Sequence, residues 1–489
     1  MFDYSMMENA IRIIKEGAEQ VLKPTEFLAR EILRFKTSKE YKAMLNGFNY
    51  YEGRHDILQK QRTAIGEGGQ TVTLSNLPNS RQVDNQYKKC VKQKVNYLIG
   101  KPFSVQTDNE IYSKALENVF DKRFFATMKN ITKDAYNAGL GWLYVYYDEQ
   151  GNLNFKRFRP WECIPGWIDA DHTELEYLIR FYNVDMFDGK KESKLTKVEY
   201  YTTAGIDYFN YYNGTLVPCE PWHTDYMSVG NVSMNWERMP FIAFKYNDEE
   251  IPLICNCKSL QDGLNSIISS FQDNMQEDPR NTILVLVNYD GENLGEFRRN
   301  LATYGVVKVK SVDGVAGDLK TLQVEVNADN YKAIIEVFRK AIIENCMCYD
   351  AKDERMNGTP NQMNIQSMYN DIDLDASDTE TEFQSALDEL LWFIDVHLAN
   401  TGVGDFSKEK VDIIFNTDMP MDEGSTIENI QKSVGILSTE TLIANHPWVT
   451  DAEKELKRLE EEKQKQIEQY NNAFMTNNAQ NGANLDENS

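Results

Sequence analysis

The chain has 489 residues, 41% of them hydrophobic and 11% aromatic, with a formal net charge of −24. That length exceeds one ordinary core, so two to four globular units are expected. So acidic a chain is a poor candidate for tight nucleic-acid binding, because phosphate affinity comes from Lys and Arg, although it suits a surface that DNA slides past without sticking.

Residues 1–48 read as helical, with Ile11, Ile14, Ala18 and Val21, then Phe27, Ile32 and Phe35 at helical spacing. Gly66-Glu67-Gly68-Gly69 is a flexible loop. Val83–Ile99 predicts a helix with Tyr87, Val91, Val95 and Leu98 on one side. Its Lys88, Lys89, Lys92 and Lys94 read as a solvated basic face rather than a DNA site. Ile111–Asn137 predicts one more helical stretch. The period then changes to two. Trp142–Tyr147 and Leu153–Phe158 form a hairpin around Asp148-Glu149-Gln150-Gly151. Leu178–Tyr182, Lys197–Thr202, Asp207–Tyr212 and Phe241–Tyr246 read as further strands of an antiparallel sheet with helices beside it, an α+β unit. Trp161, Trp167, Trp222 and Trp236 are most simply core or interface aromatics.

Lys258–Asn400 organises the rest. In Lys258–Gln276 the residues Leu260, Leu264, Ile267, Ile268, Phe271 and Met275 make one helical face, stopped at Glu277-Asp278-Pro279. Asn327–Asn345 repeats the pattern with Tyr331, Ile334, Ile335, Phe338 and Ile342. Each helix is roughly 27 Å long, and they flank an insert of about 45 residues, compatible with a small α/β unit. The insert reads strand Thr282–Val287, turn Asp290-Gly291, helix through Leu294, Phe297 and Leu301, strand Val306–Val309, and strand Leu319–Val326. After a polar loop, Ile365, Tyr369, Ile372, Ala376, Phe383, Leu387, Leu390, Ile394 and Leu398 hold one stripe without Pro or Gly. That predicts a helix of roughly 50 Å, a rod suited to a wall of repeated subunits. Val411–Phe415 is a candidate return strand, and Thr426–Leu437 and Thr439–Asn445 are short helices. Thr450-Asp451-Ala452-Glu453 matches a capping box for a charged helix to about Tyr470. The Asn-rich end from Asn471 is expected to be disordered.

The tools of catalysis are missing. There is no G-x-x-x-x-G-K-[ST], no H-E-x-x-H and no G-x-S-x-G, and the five His are scattered. Seven Cys, and a start over Met1–Gly17 without a basic segment and apolar core, read as free thiols in a reducing compartment. No apolar run approaches the ~20 residues of a membrane span, so the expectation is a protein soluble until assembled. Two constellations invite a metal. Cys255-x-Cys257 precedes the first helix and Cys346-x-Cys348 follows the second, so antiparallel helices would bring four thiols to one level. The C-x-C spacing is poor for zinc, and buried free thiols at helix ends are the simpler reading. Asp371-x-Asp373-x-Asp375 with Glu382 copies part of a calcium loop, but Ala376 stands where a Gly makes the sharp turn, so an acidic helix face is favoured.

The order of helix, α/β insert, helix, loop and long helix resembles the portal proteins of long-tailed, siphovirus-type double-stranded DNA phages of Gram-positive hosts. The residues that carry the resemblance are Asn49-Tyr50-Tyr51-Glu52-Gly53, Asn96-Tyr97-Leu98-Ile99-Gly100-Lys101-Pro102, Asn357-Gly358-Thr359-Pro360, Tyr369-Asn370-Asp371-Ile372-Asp373-Leu374, and the run Leu442–Leu456 that begins Leu442-Ile443-Ala444-Asn445-His446-Pro447-Trp448. The likeness runs from about residue 40 to 470, and Asn357-Gly358 stands where the family usually has Ser-Gly.

The resemblance implies a ring, usually a dodecamer, at one capsid vertex. It implies a wing over 1–251, a stem helix over 252–278, a clip over 279–326 and a second stem helix over 327–349. A tunnel loop over 350–361, a long wing helix with return strand over 362–420, a helical crown over 421–472 and a disordered tail over 473–489 complete it. Lys352, Asp353, Glu354, Arg355, Asn357 and Gly358 are the implied tunnel loop, and Arg298, Arg299, Lys308 and Lys310 the implied connector-docking charges of the clip. The implied partners are further copies of the chain, double-stranded DNA, terminase, a head-completion or adaptor protein, and the major capsid and scaffolding proteins, with no membrane and no cofactor. The implied location is the virion, after assembly in the host cytoplasm. A phage scaffold-like protein without a pore, and an enzyme with an unrecognised site, are the competing readings.

Overall fold

Segments of period two and of period 3.6 fold here into antiparallel sheets and helices, the α+β class expected. The computed structural model describes residues 24–65, 69–75, 77–189, 191–229, 232–277, 283–287, 318–322, 328–350, 362–417, 423–449, 451–452 and 454–467. They fall into two compact units. One comprises Met1–Tyr41, Lys92–Ile251 and Met347–Ser489; the other comprises Lys42–Val91 and Pro252–Cys346.

The helices follow the apolar spacing. α1 (Pro24–Thr37) opens on a proline, harmless in a first turn, and buries Leu28, Ile32 and Phe35. α2 (Lys39–Glu52) and α3 (Gln86–Ile99) follow. The single stretch expected over Ile111–Asn137 is two helices, α4 (Glu110–Val119) and α5 (Lys122–Ala138). Asp121 makes the break. Its backbone is extended and its carboxylate accepts the N–H groups of Arg123 and Phe124, so it caps a new helix. α5 ends at Gly139, where φ is +87° and a Cβ would lie 2.0 Å from the Glu250 carbonyl oxygen, so only glycine fits.

α6 (Ile254–Glu277) and α7 (Ala328–Asn345) come next, then α8 (Gln362–Asn400), then α9 (Glu423–Ser433) and α10 (Thr439–Ala444). α8 has 39 residues and spans roughly 58 Å. Every residue of its expected stripe, from Ile365 to Leu398, is buried. Residues 454–467 are helical, and the Lys454 N–H donates to Asp451 Oδ1 at 3.0 Å. Thr450 and Glu453 of the expected capping box lie outside the described residues, as do 1–23, 66–68 and the end from 468.

Phe241–Lys245, Leu140–Tyr147 and Leu153–Phe158 form a three-stranded antiparallel sheet in that order. A five-stranded meander runs Thr215–Thr224, Gly205–Tyr212, Lys191–Thr202, Leu175–Asp188, Cys163–Trp167. Its two outer strands were not expected. Cys163–Trp167 carries Pro and Gly yet is buried throughout. Thr215–Thr224 carries two prolines and shifts register between Pro218 and His223, which an edge strand tolerates. The return strand, Asp412–Ile414, pairs with Ser104–Gln106. In the insert, Ile283–Val287 pairs with Asp318–Leu322; its expected helix and middle strand lie outside the described residues.

The two larger sheets share a core of Leu140, Trp142, Phe158, Cys163, Trp167, Leu178, Tyr201 and Phe241. Trp142 stacks on Trp167 with centroids 5.8 Å apart. Trp161, Trp167 and Trp236 are core, whereas Trp222 is exposed. The other face of the three-stranded sheet lies under α5 and α8. A Cβ on Gly141 would sit 2.6 Å from the Ile131 carbonyl oxygen of α5, and Phe244, cross-strand from Gly141, meets Phe383 of α8 edge-on at 5.1 Å. No helix among the described residues is long and apolar enough to cross a membrane.

Candidate functional site

Within the second unit, α6 and α7 pack as an antiparallel pair. Gly263 faces Phe338, where a Cβ would be 2.6 Å from the ring, and Phe271 faces Tyr331 at 4.8 Å between centroids. Asn274 donates to the Tyr331 hydroxyl at 2.9 Å. The apolar face expected of α6 is only partly inside: Leu264 is fully buried but Met275 is 51% exposed.

The more thoroughly hidden face is polar. Gln261, Asn265, Ser269 and Asp273 recur every fourth residue, hence along one line of the helix, and are 0–4% exposed. An extended strap, residues 80–86, lies on them. The Ser80 N–H donates to Asp273 Oδ1 at 2.6 Å, Gln82 to Ser269 Oγ at 2.9 Å, Asp84 to Asn265 Oδ1 at 3.0 Å and Gln86 to Gln261 Oε1 at 3.0 Å. The match is metrical. Four helical residues rise about 6.0 Å and two extended residues about 6.6 Å, so successive bonds stay in step. Gln261 Oε1 also accepts the Tyr87 N–H at 3.1 Å, serving the first turn of α3.

Charge closes this strap. Arg339 of α7 reaches Asp84 at 2.8 Å, and Lys60 reaches Asp273 at 3.1 Å. Burial opposes ionisation of Asp273, but hydrogen bonds from Ser80 and Lys60 outweigh it and hold the carboxyl below its ordinary value. His55 joins its Nδ1 to Asn265 at 2.8 Å and its Nε2 to the Tyr50 carbonyl at 3.1 Å, and burial pushes its pKa down. Lys258 bridges Asp56 at 2.6 Å and Asp262 at 2.8 Å, and Tyr50 donates to Asp262.

In the other unit, which takes α3 from Lys92 onward, α3 contributes a buried cation. Lys94, expected on a solvated face, has a fully buried side chain, and its Nζ is 2.5 Å from Asp375 Oδ2 of α8. Asp375 Oδ1 accepts the Tyr246 hydroxyl at 2.7 Å, and the Tyr136 ring lies 5.7 Å from the ammonium. The Tyr97 hydroxyl donates to Asp373 at 2.6 Å. Two of the three aspartates of the calcium-like pattern are thus committed to the protein's own side chains, on a helix that continues unbroken through Ala376. Among the described residues no three His, Cys, Asp or Glu side chains gather to hold a metal ion. Cys257, Cys346 and Cys348 are buried and Cys255 is exposed. Cys255, Cys257, Cys346 and Cys90 all lie close enough to the fully buried Tyr87 to raise its pKa further, after burial itself.

The tunnel-loop residues Lys352, Asp353, Glu354, Arg355, Asn357 and Gly358 and the clip charges Arg298, Arg299, Lys308 and Lys310 lie outside the described residues. What the structure adds is a cleft of about 920 Å³ beside α8, lined by Glu382, Glu389 and Ser385 and by Trp167, Phe241 and Lys245. Burial lifts the Glu389 carboxyl to about 7, with Arg238 only partly opposing. A carboxyl raised on folding stabilises the fold fully below its unfolded value near 4.5, and that contribution is lost as pH rises through 7. Glu389→Gln is therefore expected to gain about 1–2 kcal/mol of stability at pH 8 and little at pH 4, read from urea midpoints at the two pH values. Equal midpoint changes at both would refute the assignment.

A family model described as "Phage portal protein, SPP1 Gp6-like" matches residues 33–469 of the chain. The portal protein of Bacillus phage SPP1 is 28% identical over 472 residues, covering 95% of this chain and 92% of that protein. The portal protein of Clostridium phage phiCD119 is 27% identical over 447 residues, covering 88% of this chain and 95% of that protein.

Proposed function

From the premise that the chain belongs to the SPP1 Gp6-like family of phage portal proteins, we propose that it forms a ring, a dodecamer, which is the DNA channel at one capsid vertex. The family match across nearly the whole chain carries this reading. The antiparallel pair α6 and α7 supports it, since a helical pair with one face locked beneath a strap leaves its other surfaces for copies of itself and for the channel.

In that ring, residues 350–361 form the loop at the channel wall. Lys352 and Arg355 touch phosphates while Asp353 and Glu354 limit adhesion, because strong contacts would stall a moving duplex. Gly358 and Pro360 shape its turn. The insert between α6 and α7 projects as the clip, and Arg298, Arg299, Lys308 and Lys310 are its charges for docking the adaptor. The chain is structural and not an enzyme. A separate packaging ATPase, the terminase, supplies the energy, in keeping with a sequence that lacks a P-loop. The ring is built with capsid and scaffolding proteins in the host cytoplasm and remains in the virion.

Negative-stain microscopy of the purified chain tests the assembly. A ring with a central hole is expected; an irregular oligomer or filament would favour a scaffold-like protein, and a compact single particle an enzyme. For the loop, Lys352→Ala with Arg355→Ala is expected to cut DNA packaged per head about tenfold with ring formation intact. Normal packaging would remove the loop from the mechanism.

A further inference from the structure

A closed ring of identical chains needs two different faces on each copy, one fitting the other head to tail. Each copy here carries a net charge of −24, so copies repel unless a local positive face meets a local negative one. The unit that contains α5 and α8 offers one of each.

The positive face is on α5. Phe124, Met128, Ile131 and Ala135 are buried against the sheet. On the outer side, Lys122 and Lys129 stand seven residues apart, two turns along one line, and both are exposed, as is Arg123. Ala126 lies between the two lysines. The negative face is on α8. Glu382 and Glu389, also seven residues apart, line the cleft, with the small residues Ser385 and Ala386 between them. Exposed Glu237 and Asp248 add charge at the same cleft. Its cations are already engaged: Lys245 lies 3.7 Å from Glu250 and donates to the Asp171 carbonyl, and Arg238 rests on the Trp392 ring at 4.6 Å.

The two stripes have the same repeat, about 10.5 Å along each helix, and small residues at the middle of each, which lets two helices approach closely. The α5 stripe and the cleft lie on opposite faces of the three-stranded sheet, α8 packing through Phe383 on the face that α5 covers and lining the cleft with Glu382 and Glu389. α5 covers the face that includes Gly141, whereas the cleft is lined by Phe241 and Ala243 of the other face. One copy can therefore present both at once.

Resting on the ring reading, we propose that the α5 stripe of one copy docks into the α8 cleft of the next, Lys122 and Lys129 meeting Glu382 and Glu389. The occupant of the cleft is a second copy of this chain. Glu389, whose ionised form is disfavoured by burial and only partly supported by Arg238, gains further cations there.

The test is charge exchange, followed by sedimentation and negative-stain microscopy of the full chain. Lys122→Glu with Lys129→Glu alters only exposed positions and is expected to raise the concentration needed for assembly about tenfold or more, as is Glu382→Lys with Glu389→Lys. Mixing the two variants is expected to restore rings of alternating copies, because the α5 stripe of each then meets a cleft of opposite charge on the other. Combining all four changes in one chain restores assembly. Should the glutamate variant fail to fold, Glu382→Lys with Glu237→Lys replaces it. Rings formed at wild-type concentrations by the lysine variant overturn the docking while leaving the portal reading intact, and so does a folded four-change chain that fails to assemble. A wild-type chain that forms no ring at all sinks the ring reading, and the docking with it.

Discussion

Lys94→Met is expected to lower stability by about 3–5 kcal/mol, the cost of leaving one buried charge without its partner. The substitution keeps most of the side-chain volume, so lost packing contributes little. What remains is Asp375, 6% exposed, with its Oδ2 facing the vacated position and the Tyr246 hydroxyl still donating to its Oδ1. The carboxylate on α8 is then left buried without its ion partner. A second change to Asp375→Asn, which removes the charge, is expected to return at least half of the loss, because replacing both members of a buried pair is far cheaper than removing one. Urea unfolding followed by tryptophan fluorescence reads this, since Trp142, Trp161 and Trp167 sit in the same unit's core. Similar midpoints for wild type and Lys94→Met would show that the pair carries no such weight.

Asn265→Leu comes second, at about 2–4 kcal/mol. This side chain accepts the Asp84 N–H, accepts from Gln261 at 3.2 Å and meets His55 at 2.8 Å, all while fully buried. Leucine is similar in size and has no acceptor, so the Asp84 N–H is left without a partner inside the protein. Amide exchange gives the local readout. Protection at Gln82, Asp84 and Gln86 is expected to fall about a hundredfold or more, while the sheets of the other unit keep theirs. Unchanged exchange across residues 80–86 would mean that the strap is held by something else.

These two residues also mark where the sequence stopped speaking. The stripe of α8 was legible because nothing but apolar side chains filled it. On α6 hydrophobicity alone does not mark the inner face. A line of Gln261, Asn265, Ser269 and Asp273 is equally periodic, but its partners are backbone N–H groups some 180 residues earlier, and no local pattern reports them. Lys94 is a similar case: among three neighbouring lysines it looks like surface, and only the tertiary position of Asp375 distinguishes it. Asp121 was in principle readable as a cap that splits one helix into two. Cys163–Trp167 was not, since Pro165 and Gly166 argue locally against a strand that burial then imposes. The charged loop and insert residues drew their roles from resemblance rather than from spacing, and the Lys122 and Glu382 stripes needed the fold before they could be seen as a pair.

The strap on α6 behaves as a pair of rulers with commensurate divisions, one graduated in helical turns and the other in dipeptides. Changes in chain length between Ser80 and Gln86 are therefore quantised. Adding or removing a single residue there inverts the parity of the segment and aims alternate amides outward, while a change of two restores the phase. Among homologues, insertions at this place should come in even numbers or not at all.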